Sequence, residues 1–533
     1  MKQRYSIDEV VKRSDKANVR KENWRDLYSD CYEFALPQRN LYDGYYTASS
    51  PGQKKMSNVF DSTAINSVQR FANRLQSGLF PPYRNWCRLM VGEVAKQQIG
   101  DPVELQRALD VYTDKLFTII RQTNFDLTIS EFLLDLCVGT GAMLIQKNDT
   151  DNGPPVRFEA VPQFLIAFEE GPNGKVQNVY RNFRVKAGVI TQQWTDAKLT
   201  PELNKLIEDD PTQDIELLEA TMYMPDTGRY CYHIIHRHNT KGKNTYDEIV
   251  YRKMDSSPWV ICRYSKVAGE IYGRGPLVSC IADVKTLNKT KEMILRNASI
   301  SIAGVYTARD DGVLNPNNIR IAPGSIISVA SNGGGQGPSL QPLQRASDFN
   351  VAQIVIKDLV ENIKRTLMDD SLPPDTMSAR SATEVVQRMK ELATNLGSAF
   401  GRLITEALIP IVTRTLHVMK EQKIIDLPVE VDGNVIKIYP QSPLAQAQNM
   451  DDLQTVLQFM QVAQGLGPIG QVVINQDNMI EYLAQKMGIP GEIMNSREER
   501  REIIKQLSET ALQTMQQGEQ GELGQPQGNT EQQ

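Results

Sequence analysis

The sequence predicts a helix-rich α+β fold, and three observations carry that reading. Apolar residues recur at helical spacing through the first 148 residues and again from residue 276 onward. Between about 155 and 265 the period changes to two, with turn-forming clusters separating the runs. Composition is that of a globular chain, 40% hydrophobic and 23% charged over 533 residues, which is long enough to bury real cores.

Residues 6–35 are charged and periodic and predict one long surface helix ending before Pro37. Residues 36–58 are polar and turn-rich. A second helix is expected from Asn58 to Leu79, stopped by the two prolines of FPPYRNWCRL (Phe80 to Leu89). Residues 102–148 predict two more helices, the second ending near GTGA (Gly139 to Ala142). VRFEAVPQFLIAFE, GPNG and VQNVYRNFRV then read as strand, turn, strand. LLEATMYM, PDTG, YCYHIIHRH, NTKGKN and DEIVYRKM read as a β-meander.

YGRGP (Tyr272 to Pro276) opens a long helix to about Ala303, with Pro276 in its first turn and Leu277, Ile281, Val284 and Leu287 on one face. Residues 304–345 lose the helical period and predict a small strand-and-loop module containing SNGGGQGP. A helix follows over about 348–369, striped by Ile356, Leu359, Val360, Ile363 and Leu367. After a short arm, SATE (Ser381 to Glu384) matches a capping box. It opens a very long helix with Val385, Met389, Leu392, Leu396, Ala399, Leu403 and Ala407 in one stripe, kinked at Pro410. Residues 424–505 predict shorter helices, broken at GLGP and GIPG. The last 21 residues hold eight glutamines and no Lys or Arg, a composition of disorder in the absence of a partner.

Several function classes are excluded on this reading. A formal net charge of −5 does not fit a basic nucleic-acid coat. The six cysteines are scattered, with no CxxC, and read as reduced thiols rather than disulfides or a zinc site. The N-terminus lacks an apolar signal core. The uncharged run Ile321 to Gln344 holds too many glycines and prolines to span a membrane. No P-loop, dinucleotide fingerprint or nucleophile elbow is present, so neither an enzyme nor a bound cofactor is expected. His236 and His238 share one face of a strand and His233 the other. No third ligand is evident in the sequence, so they read as strand histidines and no metal is expected. The two long helices are only weakly charged: four basic and two acidic side chains over 276–303, net +2, and three basic and five acidic over 348–370, net −2.

The order of these elements, with SGLFPPYRNW (77–86), VPQF (161–164), NGKVQNVYR (173–181), YGRGP (272–276) and SATEVVQR (381–388), resembles the portal, or head-to-tail connector, proteins of tailed bacteriophages, especially short-tailed ones. The resemblance covers nearly the whole chain. It implies a portal fold of wing, stem, clip and crown assembled into a ring around a central channel. Residues 1–275 would be the wing body and 276–303 the first stem helix. The clip would be 304–345, the second stem helix 346–370 and the tunnel loop 371–382. The long wing helix would be 383–425, the crown 426–505 and the Gln-rich tail 506–533, either disordered or a C-terminal barrel.

On that reading the tunnel loop presents Asp375, Thr376, Met377, Ser378 and Arg380 to DNA. Stem residues Lys285, Lys289, Lys357, Lys364 and Arg365 are candidates to line the channel. Arg309, Asn315, Arg320, Gly333, Gly334 and Gly335 are candidates for the clip interface. Each neutralised phosphate adds salt-dependent affinity, so a sparse set of cations suits a duplex that must slide. Uniform ring symmetry offers no base readout, so no sequence specificity is expected.

The implied partners are identical subunits (twelve is the family's usual number), double-stranded DNA, the terminase large subunit, tail adaptors, and scaffolding and major capsid proteins, with no membrane. The implied location is the portal vertex of the virion, with host cytoplasm during assembly. The function implied is the ring at the unique capsid vertex through which DNA is packaged and ejected and to which tail proteins attach. The alternative is a virion assembly or adaptor protein without a DNA channel.

Overall fold

A computed structural model describes residues 4–42, 56–92, 102–148, 153–240, 243–303, 306–308, 340–342, 349–369, 391–425 and 436–465, with Ala95 and a few residues beyond 478. The expected helix over 6–35 is two: α1 (Ile7–Glu22) and α2 (Arg25–Ala35). Ser6 caps α1 by accepting from the Glu9 N–H at 3.3 Å, and acids in its first turn and bases in its last complement the helix dipole. Neither helix is a mere surface element. Val10, Val11, Ser14 and Ala17 are buried in α1, and Tyr28, Cys31, Tyr32 and Ala35 in α2.

The next helix, α3 (Thr63–Leu79), begins later than expected, because Asp61 accepts the Thr63 N–H and hydroxyl and holds the chain in a turn. The FPPYRNW stretch leads into β1 (Cys87–Val91), a strand that its short apolar run did not announce. Phe80 and Trp86 turn inward and meet edge to face at 5.1 Å, and Trp86 meets Phe117 likewise, while Tyr83 stands 92% exposed. Helices α4 (Pro102–Gln122) and α5 (Phe125–Val138) follow, and α5 ends at the GTGA glycine, where β2 (Thr140–Lys147) starts.

The long strand expected over VRFEAVPQFLIAFE divides around Pro162 into β3 (Val156–Ala160) and β4 (Ile166–Glu170), which join different sheets. The remaining meander is β5 (Val176–Lys186), a helix α6 (Pro201–Asp209), then β6 (Asp214–Met224), β7 (Arg229–Thr240) and β8 (Lys243–Met254), with β9 (Trp259–Arg263) beyond it. The antiparallel order is β4-β5-β6-β7-β8 in one sheet and β3-β2-β9 in another. Both faces of the five-stranded sheet are covered. Val10, Val11 and Ala17 of α1 pack on Ala167, Leu218, Ala220, Met222 and Ile235. Trp194 and Leu203 pack on Ile215, Leu217, Tyr232, Ile234 and Val250. The three-stranded sheet belongs to the main core with α2, α3 and α5.

From Pro276 the chain forms α7 (Pro276–Ala303), then β10 (Tyr306–Ala308), β11 (Leu340–Pro342) and α8 (Phe349–Thr366). Strands β10 and β11 pair antiparallel, so α7 and α8 form an antiparallel helical hairpin; α7 is about 42 Å long at 1.5 Å per residue. Most of the strand-and-loop module over 304–345, the arm over 371–382 with its SATE box, and the Gln-rich end lie outside the described residues.

The very long helix expected after the arm is interrupted. Helical residues 391–396 end at Gly397, whose φ of +49° suits only glycine comfortably. Then α9 (Ser398–Arg402), a π-helical stretch (Leu403–Leu408) and α10 (Ile409–Glu421) continue. The π-helical residues stand immediately before Pro410, which has no N–H and crowds the carbonyl four residues back; widening the helix there relieves both. Its apolar stripe is buried as expected at Leu392, Leu396, Ala399, Leu403 and Ala407. Beyond it, a strand replaces the first expected short helix: β12 (Ile436–Pro440) pairs antiparallel with β1, and α11 (Pro443–Gly465) follows. Among the described residues no helix is long and apolar enough to cross a membrane. All six cysteines are free and buried.

Candidate functional site

The α7–α8 hairpin and its root form the candidate site, and α7 starts from a contact between two glycine motifs. Gly273 and Gly275 of YGRGP lie directly on the end of α5. A Cβ on Gly273 would sit 2.2 Å from the Gly139 carbonyl oxygen, and one on Gly275 would sit 2.0 Å from that of Cys137. The close approach lets Gly275 donate to Val138 O at 2.8 Å and Gly273 donate to Thr140 Oγ1 at 3.0 Å. Tyr28 donates to Gly273 O at 2.7 Å from inside the core. The two motifs read in the sequence as separate helix boundaries are thus one backbone joint.

A second joint fixes the C-terminal end of the hairpin to the body. At the end of α8, Met368 sits at φ +57°; Met368 donates to Arg365 O at 3.0 Å and Asp369 to Lys364 O at 2.7 Å. This is a Schellman closure with methionine where glycine is usual. A strained backbone persists where its surroundings over-determine it, and here the next residue is clamped. The Asp369 carboxylate, 2% exposed, accepts from Ser67 at 2.8 Å and Arg70 at 3.2 Å, and Arg74 donates to the Asp369 carbonyl at 2.8 Å. All three partners project from α3. The chain therefore enters residues 370–390 from a fixed point.

Between these joints the hairpin changes character. Near the body, Leu277, Cys280, Val284 and Leu287 of α7 and Ile363 and Leu367 of α8 are buried. Away from it, no residue of 291–299 or 352–362 is buried. Met293 and Leu295 are each 55% exposed, Ile354 69% and Val355 44%.

The sequence-derived site residues are distributed unevenly. Lys285 is ion-paired to Asp30 of α2 at 2.8 Å and Lys289 to Glu292 at 2.9 Å. Lys291 reaches the buried Asp61 at 3.1 Å. Lys357 and Arg365 are exposed and Lys364 half-buried on α8; among the described residues none of the three has a carboxylate partner. Asp375, Thr376, Met377, Ser378 and Arg380 lie outside the described residues, as do Arg309, Asn315, Arg320, Gly333, Gly334 and Gly335.

The Asp369 clamp was missed in the sequence, although a signal was present. Two adjacent acids, Asp369 and Asp370, close a helix whose C-terminal dipole disfavours them. An acid so placed needs a cation from elsewhere, and Arg70 and Arg74, spaced i, i+4 on α3, supply two.

A third feature joins the body to the α9–α10 segment. Arg263, 2% exposed, is held bidentately by Glu406 at 2.6 and 3.2 Å, is ion-paired to Glu170, and donates to Gly174 O at 2.9 Å. Motif residues from the resemblance prove to be core of this kind. Arg181 of NVYR pairs with Glu159 at 2.6 Å and lies 3.5 Å from Glu219, and Val161 of VPQF is buried. On the opposite side of the five-stranded sheet from His233, which meets Glu248 at 2.7 Å, the strand register brings Asp247 across from His236 and next to His238, the third ligand type that the sequence did not offer.

Against known proteins, the family model described as bacteriophage head to tail connecting protein matches residues 8–494. The probable portal protein of Bordetella phage BPP-1 is 21% identical over 511 residues, covering 91% of this chain and 88% of the relative. The portal proteins of Escherichia phage T7 and Enterobacteria phage T3 are 21% and 20% identical, each covering 74% of this chain and 72% of the relative. Among solved structures, a chain of the native gene transfer agent virion aligns with a TM-score of 0.33 and 12% identity, over 76% of this chain and 90% of that one. One from the neck of the native gene transfer agent particle, computed with C12 symmetry, aligns at 0.31 and 11%, over 75% and 87%.

Proposed function

This chain belongs to the bacteriophage head to tail connecting protein family and serves as a phage portal, and we propose that it does so as a closed ring of identical subunits around a channel for double-stranded DNA. Its role is structural rather than catalytic. The observation that carries the reading is the outer half of the α7–α8 hairpin, where Met293, Leu295, Ile354 and Val355 are exposed although the same two helices bury their stripes nearer the body. Neighbouring copies in a ring would cover such side chains. A closed ring uses heterologous contacts, so one face of the hairpin meets a different face of the next. The exposed cations of α8, Lys357 in its outer half and Arg365 nearer the body, are then available to phosphate, few enough that a duplex slides.

On this reading residues 371–382 form the tunnel loop, steadied by the Asp369 clamp, with Arg380 its one cation. Residues 304–345 form the clip. The terminase large subunit, then tail adaptors, dock there, and the ring sits among capsid and scaffolding proteins at the portal vertex of the virion. Twelve subunits are expected. Electron microscopy of the purified chain tests this: a closed ring with an open bore about as wide as a duplex, on the order of 20 Å, is the expected result. A solid oligomer without a bore would return the chain to the adaptor reading.

A further inference from the structure

We propose that His236, His238 and Asp247 form a zinc-type divalent metal site at the outer end of the β7–β8 hairpin. Strand periodicity puts the two histidines on one face of β7, and the register sets Asp247 directly opposite His236. One donor atom from each side chain lies within 4.8 Å of the others. The imidazoles stack with centroids 4.8 Å apart and planes at 23°, and His238 Nδ1 is 3.7 Å from the Asp247 carboxylate.

The decisive observation is that both Nδ1 atoms are buried and neither has a hydrogen-bond partner. Leaving one such atom unsatisfied is unfavourable, and here two belong to histidines that share a cluster with one carboxylate. A shared cation satisfies all three groups together. Imidazole with carboxylate suits zinc and neighbouring first-row ions, and three protein ligands leave a fourth position for water.

Ligand atoms in a tetrahedral zinc site are about 3.3 Å apart, from bonds of about 2.0–2.1 Å. Rotation of these side chains on a fixed strand pair closes the site. Bound metal would staple the last rungs of the hairpin, Asn239 to Asn244 and Thr240 to Lys243. His233 takes no part, because it is on the other face with Glu248.

The test uses the untagged full-length chain, stripped with a chelator, desalted and titrated with Zn²⁺ by calorimetry and against a chromophoric zinc indicator. One equivalent per chain is expected, with Kd micromolar or tighter. Asp247→Asn and His238→Gln should each weaken it at least tenfold, and His417→Gln should leave it unchanged. Circular dichroism checks that each variant is folded. Should a variant not fold, the unaltered chain decides, because zinc at a hundred times Kd must raise its urea midpoint. Absence of one-equivalent binding, an unmoved midpoint, or undiminished affinity in both folded variants would overturn the proposal.

Discussion

The body and the helical hairpin that leaves it treat charge and apolar surface in opposite ways. In the body, charge goes inside and is matched within the chain. Arg263 meets Glu170 and Glu406; Asp135 meets Arg39 at 2.7 Å and Tyr32 at 2.9 Å; Glu219 accepts from Tyr232 at 2.7 Å with Arg181 beside it. Burial pushes the Asp135 and Glu219 carboxyls above their usual range despite those arginines. In the outer hairpin Arg296, Lys357, Asp358 and Glu361 are exposed, and so are Met293, Leu295, Ile354 and Val355. These body charges find their partners within the chain, whereas the outer hairpin leaves apolar surface for another molecule. That difference separates residues needed for a folded subunit from residues needed for an assembly.

Four measurements break or sharpen the contrast. Arg263→Met removes one member of a buried ion cluster and strands two carboxylates. Equilibrium urea unfolding should register a loss of about 3–5 kcal/mol. A loss under about 1 kcal/mol would mean that the glutamates reach water readily and the body is less closed than drawn.

Asp369→Ala comes next, with about 2–3 kcal/mol expected, because Ser67 and Arg74 lose a buried partner. An unchanged midpoint in the same assay would remove the clamp as a fixed point.

Lys21 tests burial through pH. Burial lowers its ammonium to about 8 in the folded chain, from 10.5, although Glu22 opposes this; its Nζ donates to Phe164 O at 2.6 Å. Between those two values the unfolded chain keeps a proton that the folded chain has released, so this group's contribution to stability rises with pH. Relative to Lys21→Met, the wild type should gain on the order of 2 kcal/mol from pH 7.5 to pH 10.5. A flat difference would show that the ammonium is hydrated.

Ile354→Lys should have the smallest effect on the subunit, within about 0.5 kcal/mol, yet should abolish the ring in sedimentation or native mass measurements. Intact rings from this variant would leave the outer hairpin without its assigned role.

Local pattern made much of the fold legible, and what escaped was long-range. The helix over Pro276–Ala303 and the meander β6–β8 follow from periodicity and turn residues held within one segment. Strands β1 and β12 are short runs of five residues that exist because each finds the other; neither carries a local mark that separates it from a buried loop. The break at Asn23 and Trp24 escaped for a different reason, because both residues are tolerated within helices and packing sets the turn. The site divides likewise. Lys289 and its partner Glu292 are visible in the chain because they lie one helical turn apart. The Asp369 clamp and the Asp247 neighbour of His236 depend on a tertiary contact and a strand register that no single-sequence pattern fixes.

The pairing of β1 with β12 has a consequence in time. The partners of Cys87 to Val91, Ile436 to Pro440, are made about 345 residues later (436 minus 91). At about 5–20 residues per second, the nascent strand waits on the order of tens of seconds with its ladder edge unfilled. During that interval an apolar strand from another nascent copy could occupy it. On the proposed ring, each subunit must close this edge before it meets its copies, and synthesis rate becomes part of how cleanly such rings form.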